Sequence, residues 1–146
     1  MDKIDLLRVT FPSSMPLTLT FVVIATMHDD KWLYVRHKER DTFEVPGGHI
    51  EQNETPLEAA MRELYEESGA LVYSLDMVCP YGVERDGVPT SYGLLYFAKV
   101  ERFGELPDYE MKERAFFETV PELLTYPDIQ PLLIEKVKAW LIECEV

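Results

Sequence analysis

The apolar positions along this chain change period several times, and each change marks an element. LTLTFVVIATM (17–27) and KWLYVRHK (31–38) are β-rich apolar runs separated by the turn residues His28, Asp29 and Asp30. TFEV (42–45) reads as a short extended piece ended by Pro46, Gly47 and Gly48. LVYSLDMVCPYGVERDG and PTSYGLLYFAKVERF predict two strands around a turn at Asp86-Gly87. RAFFE (114–118) is a shorter strand, PELL (121–124) a proline-initiated helical turn, and 129–143 carries apolar residues at helical spacing. Strands interrupted by one central and one terminal helix predict an α/β fold, a mixed sandwich with helices covering the sheet faces. Residues 1–16, which include FPSSMP, read as a loose lead-in, and 1–146 as a single domain.

The central helix, 56–68, is the best specified element. Thr55 with Glu58 three positions later forms a capping box, and Pro56 takes the first helical position, where a missing N–H costs nothing. Gly69 follows the last turn, where a left-handed residue is wanted. Leu57, Ala60, Met61 and Leu64 form its apolar stripe, which spans about 300° through zero to about 40° when measured from Leu57. On the same wheel Glu67 falls at about 280° and Glu63 at about 240°, beside the expected buried edge. Like charges there are poorly screened, and a bound divalent cation would compensate them. The other reading is ordinary pairing, since Glu58 lies four before Arg62 and Arg62 four before Glu66. That pairing leaves Glu63 and Glu67 without a cationic partner.

Charge sharpens this picture. Fourteen basic against 27 acidic side chains give a formal net charge of −13. A duplex-binding surface needs Lys and Arg to replace counterions, so nucleic-acid duplexes are excluded as partners. Phosphates handled by such a chain call for divalent cations, unless the acidity serves only solubility. No apolar run reaches the length of a membrane span, and MDKIDLLRV lacks the layout of a signal peptide. Cys79 and Cys144 lack metal-type spacing, which suits reduced thiols in a cytoplasmic protein.

Read from Gly48, GHIEQNETPLEAAMRELYEESGA is a glycine, five residues, Glu54, seven residues, then Arg-Glu-Leu-Tyr-Glu-Glu-Ser-Gly-Ala. This resembles the Nudix box, G-x5-E-x7-R-E-U-x-E-E-x-G-U, with every fixed identity in register and Ala70 a smaller residue at the last U. The preceding FEVPGG resembles the family too. The resemblance implies an α/β/α sandwich with a mixed sheet between helices, and a Mg²⁺-dependent hydrolase of nucleoside diphosphates linked to another moiety, with Mn²⁺ as substitute. By position, Glu63, Glu66 and Glu67 would hold or bridge the metals with the Gly47 carbonyl. Glu63 or a carboxylate elsewhere would activate water. Gly48, Glu54, Arg62 and Gly69 take structural places, Glu54 and Arg62 bracing loop against helix. Glu51 matches a further metal-shell carboxylate. Glu110, and after it Glu113, are nominated for the family's distal carboxylate. Arg36 matches a position where relatives contact substrate, and Glu44 of FEVPGG is carried as a second substrate-side candidate. One of Phe43, Tyr81, Tyr92 and Tyr96 is free to line a nucleobase pocket, whereas His28, His37 and His49 have no ligand spacing.

Subfamily marks lie downstream of the box. The positions for the ADP-ribose proline and the dinucleoside polyphosphate tyrosine hold Arg85 and Asp86 to Val88, and no NADH-hydrolase array is present. What remains resembles the MutT-like group, which cleaves nucleoside triphosphates, including oxidised ones, to a monophosphate and pyrophosphate. An ADP-ribose or nucleotide-sugar pyrophosphatase is the alternative, and a non-catalytic nucleotide sensor the third reading. A monomer and a homodimer are both compatible with the resemblance.

Overall fold

The computed structural model of the chain describes residues 7–144. Its strands are β1 (Leu7–Thr10), β2 (Phe21–His28), β3 (Lys31–His37), β4 (Phe43–Glu44), β5 (Gly47–His49), β6 (Ala70–Arg85), β7 (Val88–Phe103) and β8 (Met111–Phe117). Two helices, α1 (Pro56–Ser68) and α2 (Gln130–Cys144), complete it. The strands form one eight-stranded sheet in the order β1-β6-β7-β2-β3-β4, with β5 added to β2 and β8 to β3. β2 and β7 run parallel while the other pairs are antiparallel, so the sheet is mixed, as expected.

Side-chain alternation along the two central strands builds two cores. Val22, Ile24, Leu94, Tyr96 and Ala98 point to one face and pack with Ala59, Ala60 and Leu64 of α1. Val23, Ala25, Leu95 and Phe97 point to the other and pack with Leu133, Ile134 and Val137 of α2. The Asp29-Asp30 turn joining β2 to β3 holds both residues at positive φ, 49° and 64°, the geometry that a two-residue hairpin requires.

β2 places the loop that matters most. One of its edges pairs with β3 at Met27 and His28 but with β5 from Phe21 to Val23. Between them the Ile24 N–H donates to the Pro46 carbonyl at 2.8 Å. The sheet therefore forks where the Pro46-Gly47-Gly48 turn enters, and α1 crosses over that fork. A Cβ at Gly47 would lie 2.5 Å from the Val22 carbonyl oxygen, so the backbone approach excludes a side chain.

Three expectations are corrected. Part of the lead-in is a strand: Leu7–Thr10 pairs with Gly82–Arg85 of β6, because that long strand leaves an edge to cover; residues 1–6 of the lead-in lie outside the described residues. PELL forms no helical turn, since its backbone is committed to β4, with Phe43 N–H donating to the Leu123 carbonyl and Thr125 N–H to that of Phe43. On α1, Leu57 and Met61 are 48% and 46% exposed, whereas Ala59, Ala60, Leu64, Glu67 and Ser68 are buried. The buried face is rotated toward the carboxylates. Among the described residues no helix is long and apolar enough to cross a membrane.

Candidate active site

α1 is anchored at both ends. Thr55 Oγ1 accepts from the Glu58 N–H and the Glu58 carboxylate accepts from the Thr55 N–H, closing the predicted capping box. Gly69 ends the helix in the left-handed region at φ 77°, its N–H donating to the Tyr65 carbonyl. Arg114 on β8 donates to the Ser68 and Gly104 carbonyls at 2.6 and 2.7 Å, placing positive charge at the helix C-terminus.

The rotation of the helix puts Glu67 at the centre of its packed face, 6% exposed. Its Oε1 accepts the Gly47 N–H at 2.7 Å, tying helix to turn. Burial pushes the Glu67 carboxyl well above the usual carboxylate range; the Gly47 N–H counters this only in part, and Glu63, Glu44 and Glu110 add negative charge. Glu63, one turn earlier, is also raised, first by burial, although Arg62 Nη1 donates to it at 2.6 Å. That pairing corrects the expectation that Glu63 has no cationic partner. A Cβ at Gly48 would lie 2.6 Å from the Glu63 carboxyl carbon, so the glycine is what leaves the carboxylate room.

Arg62 is the hub. Its Nε and Nη2 grip the two Glu54 oxygens at 2.7 and 2.9 Å, and Nη2 also donates to the His49 carbonyl at 3.1 Å. This fork holds the Glu54 carboxyl down at about 2 and bridges loop and helix as expected. Glu66 stands 3.4 Å from Nη1 and the exposed Glu51 3.7 Å. Glu58 serves the cap instead of Arg62. Four carboxylates, Glu51, Glu54, Glu63 and Glu66, thus crowd around one guanidinium, with Glu67 held separately on the Gly47 N–H.

The donor set fits a hard divalent cation. Every side-chain donor is a carboxylate oxygen, the negative charge exceeds what Arg62 neutralises, and among the described residues no basic side chain pairs with the buried Glu67. Among the described residues no three carboxylates converge at ligand distance, with Glu63 and Glu66 turned toward Arg62.

The other predicted residues lie around this cluster. Glu110 is exposed on the approach to β8, its charge felt at Glu63 and Glu67. Arg36 is engaged by Glu113 at 3.2 Å and by the Arg40 carbonyl at 3.1 Å. Glu44 is 8% exposed and borders a cavity of about 230 Å³ on the α2 side of the sheet. Phe21, Tyr81, Val83 and Ile129 give that cavity apolar walls, and Gly47 and Gly48 form its border with the carboxylate cluster.

The sequence profile of the NUDIX domain matches residues 16–140. The chain belongs to the NUDIX family. The Nudix box thus supplies Gly48 of the turn and the carboxylate helix just described. A Bacillus subtilis (strain 168) relative named "Putative 8-oxo-dGTP diphosphatase YtkD" is 39% identical over 99 residues, 65% of this chain and 60% of that protein. The match therefore spans less than two thirds of the relative's length. An RNA pyrophosphohydrolase of Halorhodospira halophila is 45% identical over 47 residues, 32% of this chain and 26% of that protein. Among solved structures, a point mutant of the Bacillus subtilis pyrophosphohydrolase BsRppH superposes with a TM-score of 0.75 at 27% identity, covering 92% of this chain and 91% of that one.

Sequence reasoning missed the residues that reach the site from elsewhere in the chain. Gln130 of α2 accepts the Val45 N–H at 2.7 Å and donates to the Val45 carbonyl at 3.4 Å. Arg40, Thr125 and Tyr126 surround Glu44. No short motif announces them, because they come together only through the fold.

Proposed function

We propose that this Nudix protein is a Mg²⁺-dependent pyrophosphohydrolase that cleaves a nucleoside triphosphate, unmodified or oxidised, to a monophosphate and pyrophosphate. The observation that carries the reading is Glu67: a carboxylate buried at the glycine turn with no basic partner among the described residues, beside a cavity that opens onto the same turn. The name of the Bacillus relative supports the substrate class.

Glu63, Glu66 and Glu67, with the Gly47 carbonyl and Glu51 at the rim, are the oxygens that would hold the metal. A Mg²⁺ held there would neutralise phosphate charge and make water a better nucleophile. The chain's own part is positional and protonic. Gly47 N–H fixes Glu67, the Glu54–Arg62 fork fixes the loop, and Arg114 fixes the far end of the helix. Glu63, whose carboxyl burial has raised, or the exposed Glu110 takes the proton of the attacking water. The water oxygen bonds to phosphorus, the anhydride bond breaks, and pyrophosphate leaves. Glu44 on the cavity wall, and Arg36 by its place in the family pattern, are the substrate-side candidates of this reading.

A second reading, removal of pyrophosphate from the 5′ end of RNA, is favoured by the name of the Halorhodospira relative. The net charge of −13 opposes it, because a polynucleotide needs basic surface. Chromatography of products from a panel of unmodified and 8-oxo triphosphates, ADP-ribose, a dinucleoside polyphosphate and 5′-triphosphate RNA, each with and without Mg²⁺, tests both. Monophosphate plus pyrophosphate, formed only with Mg²⁺, is the expected result. AMP from ADP-ribose, or turnover of RNA alone, would replace it.

A further inference from the structure

Glu44 differs from the carboxylates of α1 in what surrounds it. It ends β4, borders the cavity on the far side of the glycine turn from the carboxylate cluster, and is the one acidic side chain on the cavity wall among the described residues. Arg40 Nη1 lies 3.3 Å from its Oε1, and Thr125 hydrogen-bonds its side chain. Those contacts hold the carboxylate without exhausting it, since an ionised carboxylate offers about four acceptor sites and no donor. Two neighbouring polar groups are already committed. Gln130 spends its amide on the Val45 backbone, and Tyr126 is bonded to Arg40.

A buried carboxylate with spare acceptor capacity beside apolar and aromatic walls selects a flat ligand that presents adjacent N–H donors. Among the nucleobases only the guanine type does so on its Watson–Crick edge, with N1–H next to the 2-amino group. Adenine and cytosine place a ring-nitrogen lone pair beside their amino group, and uracil and thymine flank one N–H with carbonyls. Those lone pairs would meet the carboxylate with like charge. Resting on the triphosphate reading above, we propose that Glu44 reads a guanine-type base by accepting N1–H and the 2-amino N–H together, with Phe21, Tyr81, Val83 and Ile129 supplying apolar surface to the ring. The short segment 44–48 then has two jobs: its first residue selects the base, and its glycines border the carboxylates that act on the phosphates. Burial raises the Glu44 carboxyl against the pull of Arg40, and two further N–H donors would offset that desolvation.

Calorimetric titration with GMP, IMP and XMP tests this without turnover. In the unmodified protein GMP is expected to bind about tenfold more tightly than IMP, which lacks the 2-amino group, the scale of losing part of a bidentate base contact. XMP, with a carbonyl in its place, should bind weakest. In Glu44→Gln, which keeps one acceptor and adds a donor, the GMP-to-IMP ratio should fall toward one. Equal affinity for GMP and IMP in the unmodified protein overturns the proposal, as does an unchanged ratio in a folded Glu44→Gln. Guanine preference in binding without triphosphate hydrolysis would sink the enzymatic reading and leave this one standing. Hydrolysis of all bases at equal rates would do the reverse.

Discussion

The two faces of the sheet are filled with different kinds of side chain. Under α1 the contacts come from Ala59, Ala60, Ala70 and Ala98 with aliphatics and one buried ring, Tyr96, whereas under α2 four buried rings, Trp32, Tyr34, Tyr81 and Phe97, join the aliphatics. Small residues let a helix backbone approach a sheet closely, because interaxial distance follows the side chains at the contact. That approach is what allows a carboxylate of α1 to reach a backbone N–H of the glycine turn. Large rings cannot all interdigitate around a forked sheet, and on their side a cavity remains. Tight packing on one face thus serves charge placement, and looser packing on the other leaves a cavity beside the glycine turn.

The largest way to break this contrast is at Glu67. Glu67→Gln should lower turnover by roughly 10³-fold, the scale of losing one preorganised electrostatic contact. Without Mg²⁺ the same variant should melt at a higher temperature than the parent, because an uncompensated buried charge is gone. Normal turnover in a folded variant would remove Glu67 from the chemistry. Next comes packing itself. Ala60→Leu overfills the tight face and should cost about 1–3 kcal/mol of stability by denaturant titration. Val83→Leu, which grows into the cavity, should cost less than that and weaken nucleotide binding instead. Equal costs at the two sites would erase the distinction between the faces. Gly48→Ala is subtler. The added methyl displaces the flexible end of Glu63, so about a tenfold loss of kcat/KM is expected with little change in melting temperature, the loss of a fraction of one positioned contact.

The smallest effect is in the pH dependence of stability. Glu54, held at about 2 by Arg62, stabilises the fold above the unfolded carboxyl value of about 4.3, and that contribution is lost as pH falls through about 2. Glu67, Glu63 and Glu44 are raised, so the folded chain holds their protons more tightly, and stability falls as pH climbs from that same value through their folded ones. Melting curves of the Mg²⁺-free protein should pass through a maximum in the acid range, and Mg²⁺ should flatten the upper limb. A monotonic rise toward neutrality would show that the carboxylates of α1 are not strained.

How much of this was readable in the residues depends on whether the cause was local. The ends of α1 were, because Thr55, Pro56, Glu58 and Gly69 act within one turn of themselves. The β6–β7 hairpin was, because Asp86-Gly87 marks its turn. The orientation of α1 was not: a hydrophobic ranking prefers Leu57 and Met61, whereas close approach to the sheet demands Ala59 and Ala60. Nor was the Arg62–Glu63 pair, since adjacent helical residues do not ordinarily face each other. Gln130 and Thr125 belong to the site through contacts with Val45 and Glu44 that span 85 and 81 residues of sequence, and no local pattern encodes those.

The parallel pairing of β2 with β7 sets the order in which all this comes into being. Phe21 meets Gly93 and Met27 meets Lys99, so the pairing must close a loop that contains the glycine turn, the whole Nudix box and β6. Hairpins and helices form within their own neighbourhoods, whereas a parallel pair of distant strands waits for loop closure. A nascent chain that has exposed Glu63, Glu66 and Glu67 but not yet residues 93–99 has no finished sheet for α1 to press against. Its carboxylates remain in water, separately hydrated, until the second half of the chain arrives. The crowding of these carboxylates is then a property of the completed fold, acquired late in synthesis.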